Sequence, residues 1–371
     1  MNPFKYGSIV IAEHFCGREK LITQLQGHIF SAQNIVIYGE RRVGKTSLIY
    51  EAIRTQKKFR PLRLDLMDIK STDTLCRKIL QALALLEKEA GGIERLFKSL
   101  ASLRPIFSID PITGSPTIGF DSEAPLSTDN LHEIFNQIKK ADAQKPIVVV
   151  LDEFQSIMDI DDTTAVIAEL RSHIQHATNI PFIFAGSIRK KMELIFISEN
   201  SPFFKSALPL SVKPLSRDEF IPFLTDKFQS GSRTINDDLW ENIFGLAGET
   251  TGDVQQLCEA LWSVSESGDT LNPNHIAQAI ELLISREILS SQSIMTRLTE
   301  FQVKVLLSLA QVGGKKPTSK AFLKQTGSYN ASSVTKTLKR LEEIKIIYQI
   351  DHDWKFFNPV FKQYLLKNCA R

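Results

Sequence analysis

The sequence predicts an α/β fold: a doubly wound parallel sheet, then a helical domain, then a C-terminal winged helix-turn-helix. Three observations predict it. The glycine-rich stretch Gly39-Glu40-Arg41-Arg42-Val43-Gly44-Lys45-Thr46 stands between the strand-like run Ile35-Val36-Ile37-Tyr38 and a run of helical character. A second run, Ile147-Val148-Val149-Val150-Leu151, is apolar throughout and ends in two acids, Asp152 and Glu153. Such a run is what a strand buried on both faces of a parallel sheet requires. Beyond Pro214 the strand-like runs stop, and helical spacing takes over until a short hairpin pattern near the end.

Taken in order, Leu21, Leu25 and Ile29 recur every four residues and predict an amphipathic helix. The first strand and the glycine-rich loop follow, then a helix over 45–56. Residues 62–69 predict a strand with Arg63, Asp65 and Asp68 interleaved. Leu75, Ile79, Leu83 and Leu86 share one face of a helix over 72–90. Residues 106–120 alternate around Thr113-Gly114 and predict a hairpin inserted in the sheet layer. A helix over 131–143 leads into the acid-ended strand. Asp162 is placed to cap a helix over 163–178. Residues 181–186 form another buried strand, with Ser187 and Arg189 at its C-terminal end, and 208–212 form the last strand. Four helices are then predicted, over 218–228, 237–247, 252–264 and from 273 towards 289. In the last part Val303, Leu306, Leu307 and Ala310 mark one helix, and residues 320–326 a second. Ala331, Val334, Leu338 and Leu341 mark a third, a wing spans 346–357 around Asp351-His352-Asp353, and a closing helix covers 359–366. The division read from this pattern is 1–215, 216–295 and 296–371.

The 371 residues, 43% hydrophobic and 23% charged, have globular composition. No apolar run approaches the ~20 residues of a membrane span, so no membrane is expected as a partner. Met1-Asn2-Pro3-Phe4-Lys5-Tyr6 carries no apolar signal region. Cys16, Cys76, Cys258 and Cys369 are scattered, which argues against a disulfide framework or a zinc site and fits a reducing, cytoplasmic setting. The net charge of +3 is uneven. Residues 300–371 hold 13 Lys and Arg against 5 Asp and Glu, a net +8, and leave −5 on the rest. A basic C-terminal module points to an anionic partner or to a solvated surface.

Gly39 to Thr46 match G-x-x-x-x-G-K-[ST], the P-loop pattern. Glycines let the loop curl so that backbone N–H groups face phosphate oxygens. Lys45 is placed to reach the β- and γ-phosphates, and Thr46 to offer a hydroxyl to Mg²⁺. The helix that follows turns its positive dipole end to the phosphates. Asp152 suits the metal through its water shell, and Glu153 suits the base that orients the attacking water. Other constellations carry less. His173 and His176 have no evident third metal ligand, so a solvated helix face is the simpler reading. Asp159, Asp161 and Asp162 read as capping acids, and Trp240, Trp262 and Trp354 as core or rim.

With these residues laid out, nearly the whole chain resembles the prokaryotic and archaeal ATPase family within the AAA+/STAND class of P-loop NTPases. Asn2-Pro3-Phe4 and Phe15-x-Gly17-Arg18-Glu19 are similar to that family's opening motif, and Tyr38 to Leu48 to its P-loop. Leu151-Asp152-Glu153-Phe154-Gln155 is similar to its Walker B stretch, Ser187-Ile188-Arg189 to its sensor, and Phe357-Asn358-Pro359-Val360-Phe361 to the end of its winged helix. The resemblance implies a P-loop ATPase core, a helical lid and a winged helix, with ATP or ADP and Mg²⁺ as ligands. It makes Gly17 and Arg18 candidates near adenine and ribose, adds Glu40 to Val43 and Ser47 to the nucleotide loop, and turns Arg189 to the γ-phosphate. Two departures stand out. Gly252-Asp253-Val254-Gln255-Gln256 has neither the arginine nor the proline such families carry early in the third lid helix. Pro202-Phe203-Phe204-Lys205 offers only a lysine where the family often supplies an arginine in trans; a surface lysine without that role is the simpler reading, and a homo-oligomer is a candidate partner.

Two functional readings follow. In one, Mg-ATP is hydrolysed between core and lid, and the winged helix relays the nucleotide state to DNA or to a protein partner. In the other, the chain is an ATP-dependent DNA-binding protein of replication-initiator type, with hydrolysis secondary. A scaffold that holds nucleotide only for stability is disfavoured by the intact Lys45, Asp152 and Glu153. On the third winged-helix helix, Ser333, Lys336, Thr337 and Arg340 are the candidates for double-stranded DNA, and solvation of a docked module is the alternative.

Overall fold

The computed structural model describes residues 1–89, 91–100, 105–109, 116–120, 125–187, 189–327, 330–350 and 352–369. Residues 97, 105–109, 116–120, 189 and 190 are described by backbone alone. The chain forms two compact units. One is Ile9–Pro214; the other joins Met1–Ser8 to Leu215–Arg371.

In the first unit, α1 (Glu19–Phe30), β1 (Ile35–Tyr38), α2 (Lys45–Gln56), β2 (Arg60–Asp65), α3 (Thr72–Glu89) and α4 (Ile93–Ser99) come first. After them come β3 (Pro105–Ile109), β4 (Pro116–Phe120), α5 (Asp129–Gln144), β5 (Ile147–Asp152), α6 (Thr163–Gln175), β6 (Phe182–Gly186), α7 (Arg189–Phe196) and β7 (Leu208–Ser211). Five strands make a parallel sheet in the order β2-β5-β6-β1-β7. Both faces are covered, as the apolar runs require. Ile147, Val149 and Leu151 of β5 pack with Leu75, Ile79, Ile138 and Leu170 from α3, α5 and α6. Val148 and Val150 face the other way, with Leu25 and Ile29 of α1 and Leu48 and Ile49 of α2. One strand thus feeds two cores. The register aligns Asp65 with Asp152 and Tyr38 with both Gly186 and Ser211, so the glycine-rich loop and the two acids leave the sheet at the same edge. Ligands of open α/β sheets sit at that carboxyl edge.

Several boundaries differ from the pattern reading. β2 stops at Asp65 because its partner β5 ends at Asp152; Leu66 to Ile69 turn away, with Asp68 at φ 59°. β3 and β4 do pair antiparallel, but as a separate two-stranded sheet rather than within the main layer; Thr113-Gly114 lies outside the described residues. Asp162 precedes α6 without a side-chain capping bond, and the helix ends at Gln175. His173 is no solvated residue: its ring stacks on Phe135 at 4.8 Å and is 8% exposed. Among the described residues, no group of three His, Cys, Asp or Glu is placed to hold a metal ion.

The second unit holds α8 (Arg217–Gln229), α9 (Asp237–Ala247), α10 (Thr251–Val264), α11 (Pro273–Arg286) and α12 (Ile288–Met295). The long helix predicted from 273 is therefore two helices. They break at Glu287 (φ −108°, ψ 12°), whose carboxylate accepts from Gln256 Nε2 at 2.8 Å and Asn358 Nδ2 at 2.6 Å. The winged helix follows as α13 (Glu300–Val312), α14 (Lys320–Thr326), α15 (Ala331–Glu343), β8 (Ile347–Ile350), β9 (Asp353–Phe356) and α16 (Pro359–Asn368). Thr299 and Gln302 form a capping box on α13, and Ser319, Asn330 and Asn358 cap the next three helices. Val305, Leu309, Phe322, Val334, Leu338 and Phe361 close its core, and Ile294 and Met295 of α12 pack against it. Asp351 at the wing tip lies outside the described residues. Among the described residues, no helix is long and apolar enough to cross a membrane.

Candidate nucleotide-binding site

The loop between β1 and α2 has the backbone that its glycines permit. Gly44, at φ 90°, turns the chain into α2 from the left-handed region. Gly39 is needed for a different reason: a Cβ there would collide with the Val212 carbonyl oxygen. Val43 points inward and is fully buried in the core, so the loop is pinned from below. Arg41 and Arg42 are exposed. The first N–H groups of α2, at Lys45, Thr46 and Ser47, belong to a helix start where no intrahelical acceptor exists.

Lys45 is 6% exposed, and its ammonium donates to the carbonyls of Gly39 at 3.1 Å and Glu40 at 2.9 Å. Burial pulls its pKa below the ordinary lysine range, the Glu153 and Asp152 carboxylates oppose this, and Arg18 and Arg41 add to it. The Thr46 hydroxyl donates to Asp152 Oδ2 at 2.6 Å. Burial pushes the Asp152 carboxyl up; the bonds from Thr46 and from the Glu153 N–H, at 2.9 Å, pull it back. Glu153 sits at φ 51°, a left-handed position that lifts its side chain off the strand line. Its Oε2 accepts from Ser187 Oγ at 2.9 Å and from Gln155 Nε2.

The remaining candidates fall in three places. Arg18, at φ 69° and 8% exposed, braces the loop: its guanidinium donates to the carbonyls of Val43 at 2.5 Å and Lys213 at 3.1 Å. Gly17, at φ 59°, makes the turn that delivers it. Ser47 turns its hydroxyl to the opening segment, accepting from Val10 N at 3.1 Å, so only its backbone faces the loop. Glu51 holds the same segment by accepting from Ala12 N at 3.0 Å. Arg189 opens α7 two positions after Ser187, but its side chain lies outside the described residues. Gln155, whose amide reaches Glu153, and Gly186 beside that amide are brought together only because the fold sets β6 beside β5.

On the winged helix, Lys336 and Arg340 are exposed on α15, and Arg340 pairs with Glu343 at 2.8 Å. Ser333 and Thr337 are only half-exposed, because Val334, Leu338 and Leu341 set the buried stripe and both residues flank it. Lys339, unassigned from sequence, is fully on the outer face.

A family model described as an ATPase domain predominantly from Archaea matches residues 15–257, and one described as a probable winged helix domain matches residues 289–367. The Walker-type ATPase of Pyrococcus abyssi aligns over 98% of this chain and 99% of its own, with a TM-score of 0.67 at 16% identity. The ORC1 protein of Aeropyrum pernix, solved in complex with DNA, aligns over 97% and 94%, with a TM-score of 0.52 at 14% identity. At such identities the likeness is one of fold. No match was found among curated proteins. The glycine-rich loop, the Thr46–Asp152 pair behind it and a family match over well over half of the chain agree: the protein belongs to the ATPase family found predominantly in Archaea, here with a C-terminal winged helix.

Proposed function

We propose that the protein is an Mg-ATP-dependent switch that hydrolyses ATP slowly and relays its nucleotide state through the winged helix. The observation that carries this is the Thr46 to Asp152 contact at 2.6 Å, beside the buried Lys45 ammonium and next to Glu153. These residues fit the ligand. A loop with a Cβ-free Gly39, a left-handed Gly44 and unpaired helix-start N–H groups suits phosphate oxygens. Lys45 exchanges its two carbonyl acceptors for phosphate, and Thr46 and Asp152 supply the hydroxyl and carboxylate that hold the metal. Bound Mg²⁺ supplies neutralisation of phosphate charge. Glu153 orients a water and takes its proton, and Arg189 is proposed to face the γ-phosphate. The division at 215/216 and 295/296 is likewise a proposal for core, lid and winged helix.

A second reading, an ATP-dependent DNA-binding protein of initiator type, is favoured by one surface. Lys336, Lys339 and Arg340 stand exposed on α15, the helix that enters the major groove in this motif, and the fold-level relative ORC1 was solved with DNA. The test is the ATPase rate of the purified chain, with and without Mg²⁺ and duplex DNA. Mg²⁺-dependent turnover is expected for the first reading. No phosphate release in any condition, together with ATP-dependent duplex binding, would favour the second.

A further inference from the structure

Gln155 is 2% exposed, at the start of the 3₁₀ turn that follows β5. Its Nε2 donates to Glu153 Oε2, the oxygen that Ser187 Oγ also approaches at 2.9 Å. Its other amide atom, Oε1, is buried with no hydrogen-bond partner among the described residues. A buried acceptor left unpaired costs stability, and an apolar side chain of the same length would avoid that cost. The amide cannot be turned round usefully, since Oε1 would then meet the Glu153 carboxylate.

Space for this amide is made by a residue outside the loop pattern. A Cβ on Gly186 would stand 2.5 Å from Gln155 Oε1 and 2.5 Å from Met192 Sδ. Gly186 is not one of the glycines with a positive φ, so the need is for room rather than for backbone freedom. It is the last residue of β6, immediately before Ser187. A single strand end therefore supplies one donor to Glu153 and leaves the gap that the second donor occupies.

We propose that Gln155 is a positioning residue for Glu153: with Ser187 it holds Oε2 and so fixes the direction in which Oε1 is presented to the attacking water. This rests on the hydrolytic reading above. Two donors on one carboxylate oxygen restrict the side chain's rotation, and a base misplaced by a fraction of an ångström loses rate without losing substrate affinity. The unpaired Oε1 fits a residue kept for function at the expense of stability.

The experiment is steady-state ATP hydrolysis and thermal unfolding of the full chain with Gln155→Met, which keeps length and removes the donor. The expected result is a kcat about tenfold lower, an unchanged KM for ATP and a Tm equal to or above that of the unsubstituted protein. A role confined to packing would instead lower Tm and leave kcat per folded molecule alone. Gly186→Ala gives an independent arm: pushing the amide away should lower kcat in the same way, with ATP affinity by calorimetry retained. Unsubstituted protein that turns over while Gln155→Met matches its kcat overturns the inference alone. Unsubstituted protein that binds ATP and never turns over overturns both the hydrolytic reading and the inference.

Discussion

The buried Lys45 ammonium donates to two neutral backbone carbonyls of its own loop. Under the proposed function it would exchange them for phosphate oxygens, and charge-assisted bonds of that kind are the stronger ones. Lys45→Ala should weaken ATP binding by at least ~10²-fold, the worth of losing charged hydrogen bonds; calorimetry checks it. Glu153→Gln should leave ATP affinity intact and lower turnover by at least ~10²-fold, the usual weight of a general base; phosphate-release kinetics check it. Asp152 gives a pH prediction. Burial raises its folded-state pKa, so the folded chain holds that proton more tightly than the unfolded chain. The stability associated with it is full below the unfolded carboxylate range and is lost as pH rises through the folded value. At pH 7 the buried charge is a cost, and Asp152→Asn removes it while keeping an acceptor for the Glu153 N–H. Ligand-free Asp152→Asn should therefore melt above the unsubstituted protein at pH 7, with the gap closing as pH falls towards 4, and should lose Mg²⁺-dependent turnover. Melting curves across pH decide it.

At the scale of elements, the glycine-rich loop is held at both ends by contacts beyond its own motif. Gly39 abuts the Val212 carbonyl oxygen, and Arg18 ties Val43 to the chain at Lys213. Gly39→Ala puts a methyl group where backbone cannot yield without parting β1 from the chain after β7. A loss of about 3 kcal/mol is expected, at the upper end of overpacking costs, measured by urea unfolding. Beyond letting the loop curl, Gly39 is required by the close approach of the Val212 carbonyl. On α15 the buried stripe of Val334, Leu338 and Leu341 decides which polar residues face out, and it favours Lys336, Lys339 and Arg340 over Ser333 and Thr337. If DNA is the partner, Lys336→Ala with Arg340→Ala should flatten the log–log salt dependence of duplex binding by about 1–2, since each lost phosphate contact removes about 0.9. Ser333→Ala and Thr337→Ala should change it little. Fluorescence anisotropy against salt separates the two pairs.

For the whole molecule, the first residues matter to a part of the chain more than 200 positions away. Phe4 is 4% exposed, its ring 4.6 Å from Phe228 and 6.1 Å from Trp262, while Lys227 Nζ donates to the Pro3 carbonyl at 3.1 Å. Phe4→Ala should destabilise the unit containing 215–371 by about 3–5 kcal/mol, the range of buried phenylalanine truncations, seen as faster hydrogen exchange in α8 and α10. Residues 1–8 precede the core in the chain but pack with Leu215–Arg371. Sequence alone determined the α/β core, the glycine-rich loop between β1 and α2, the acid-ended strand β5 and the winged helix. Each of these is written locally: in a spacing of glycines and a lysine, in an unbroken apolar strand that ends in acids, in helical periodicity that exposes one face. What the tertiary structure decided is everything that depends on neighbours distant in the chain. Strand order sets Thr46 beside Asp152 and Gly186 beside Gln155; core packing turns Val43 and Ser47 away from the loop's mouth; a carboxylate shared by Gln256 and Asn358 marks the break at Glu287. No periodicity records those partners, because hydrogen bonds and steric room between remote segments leave no spacing to read.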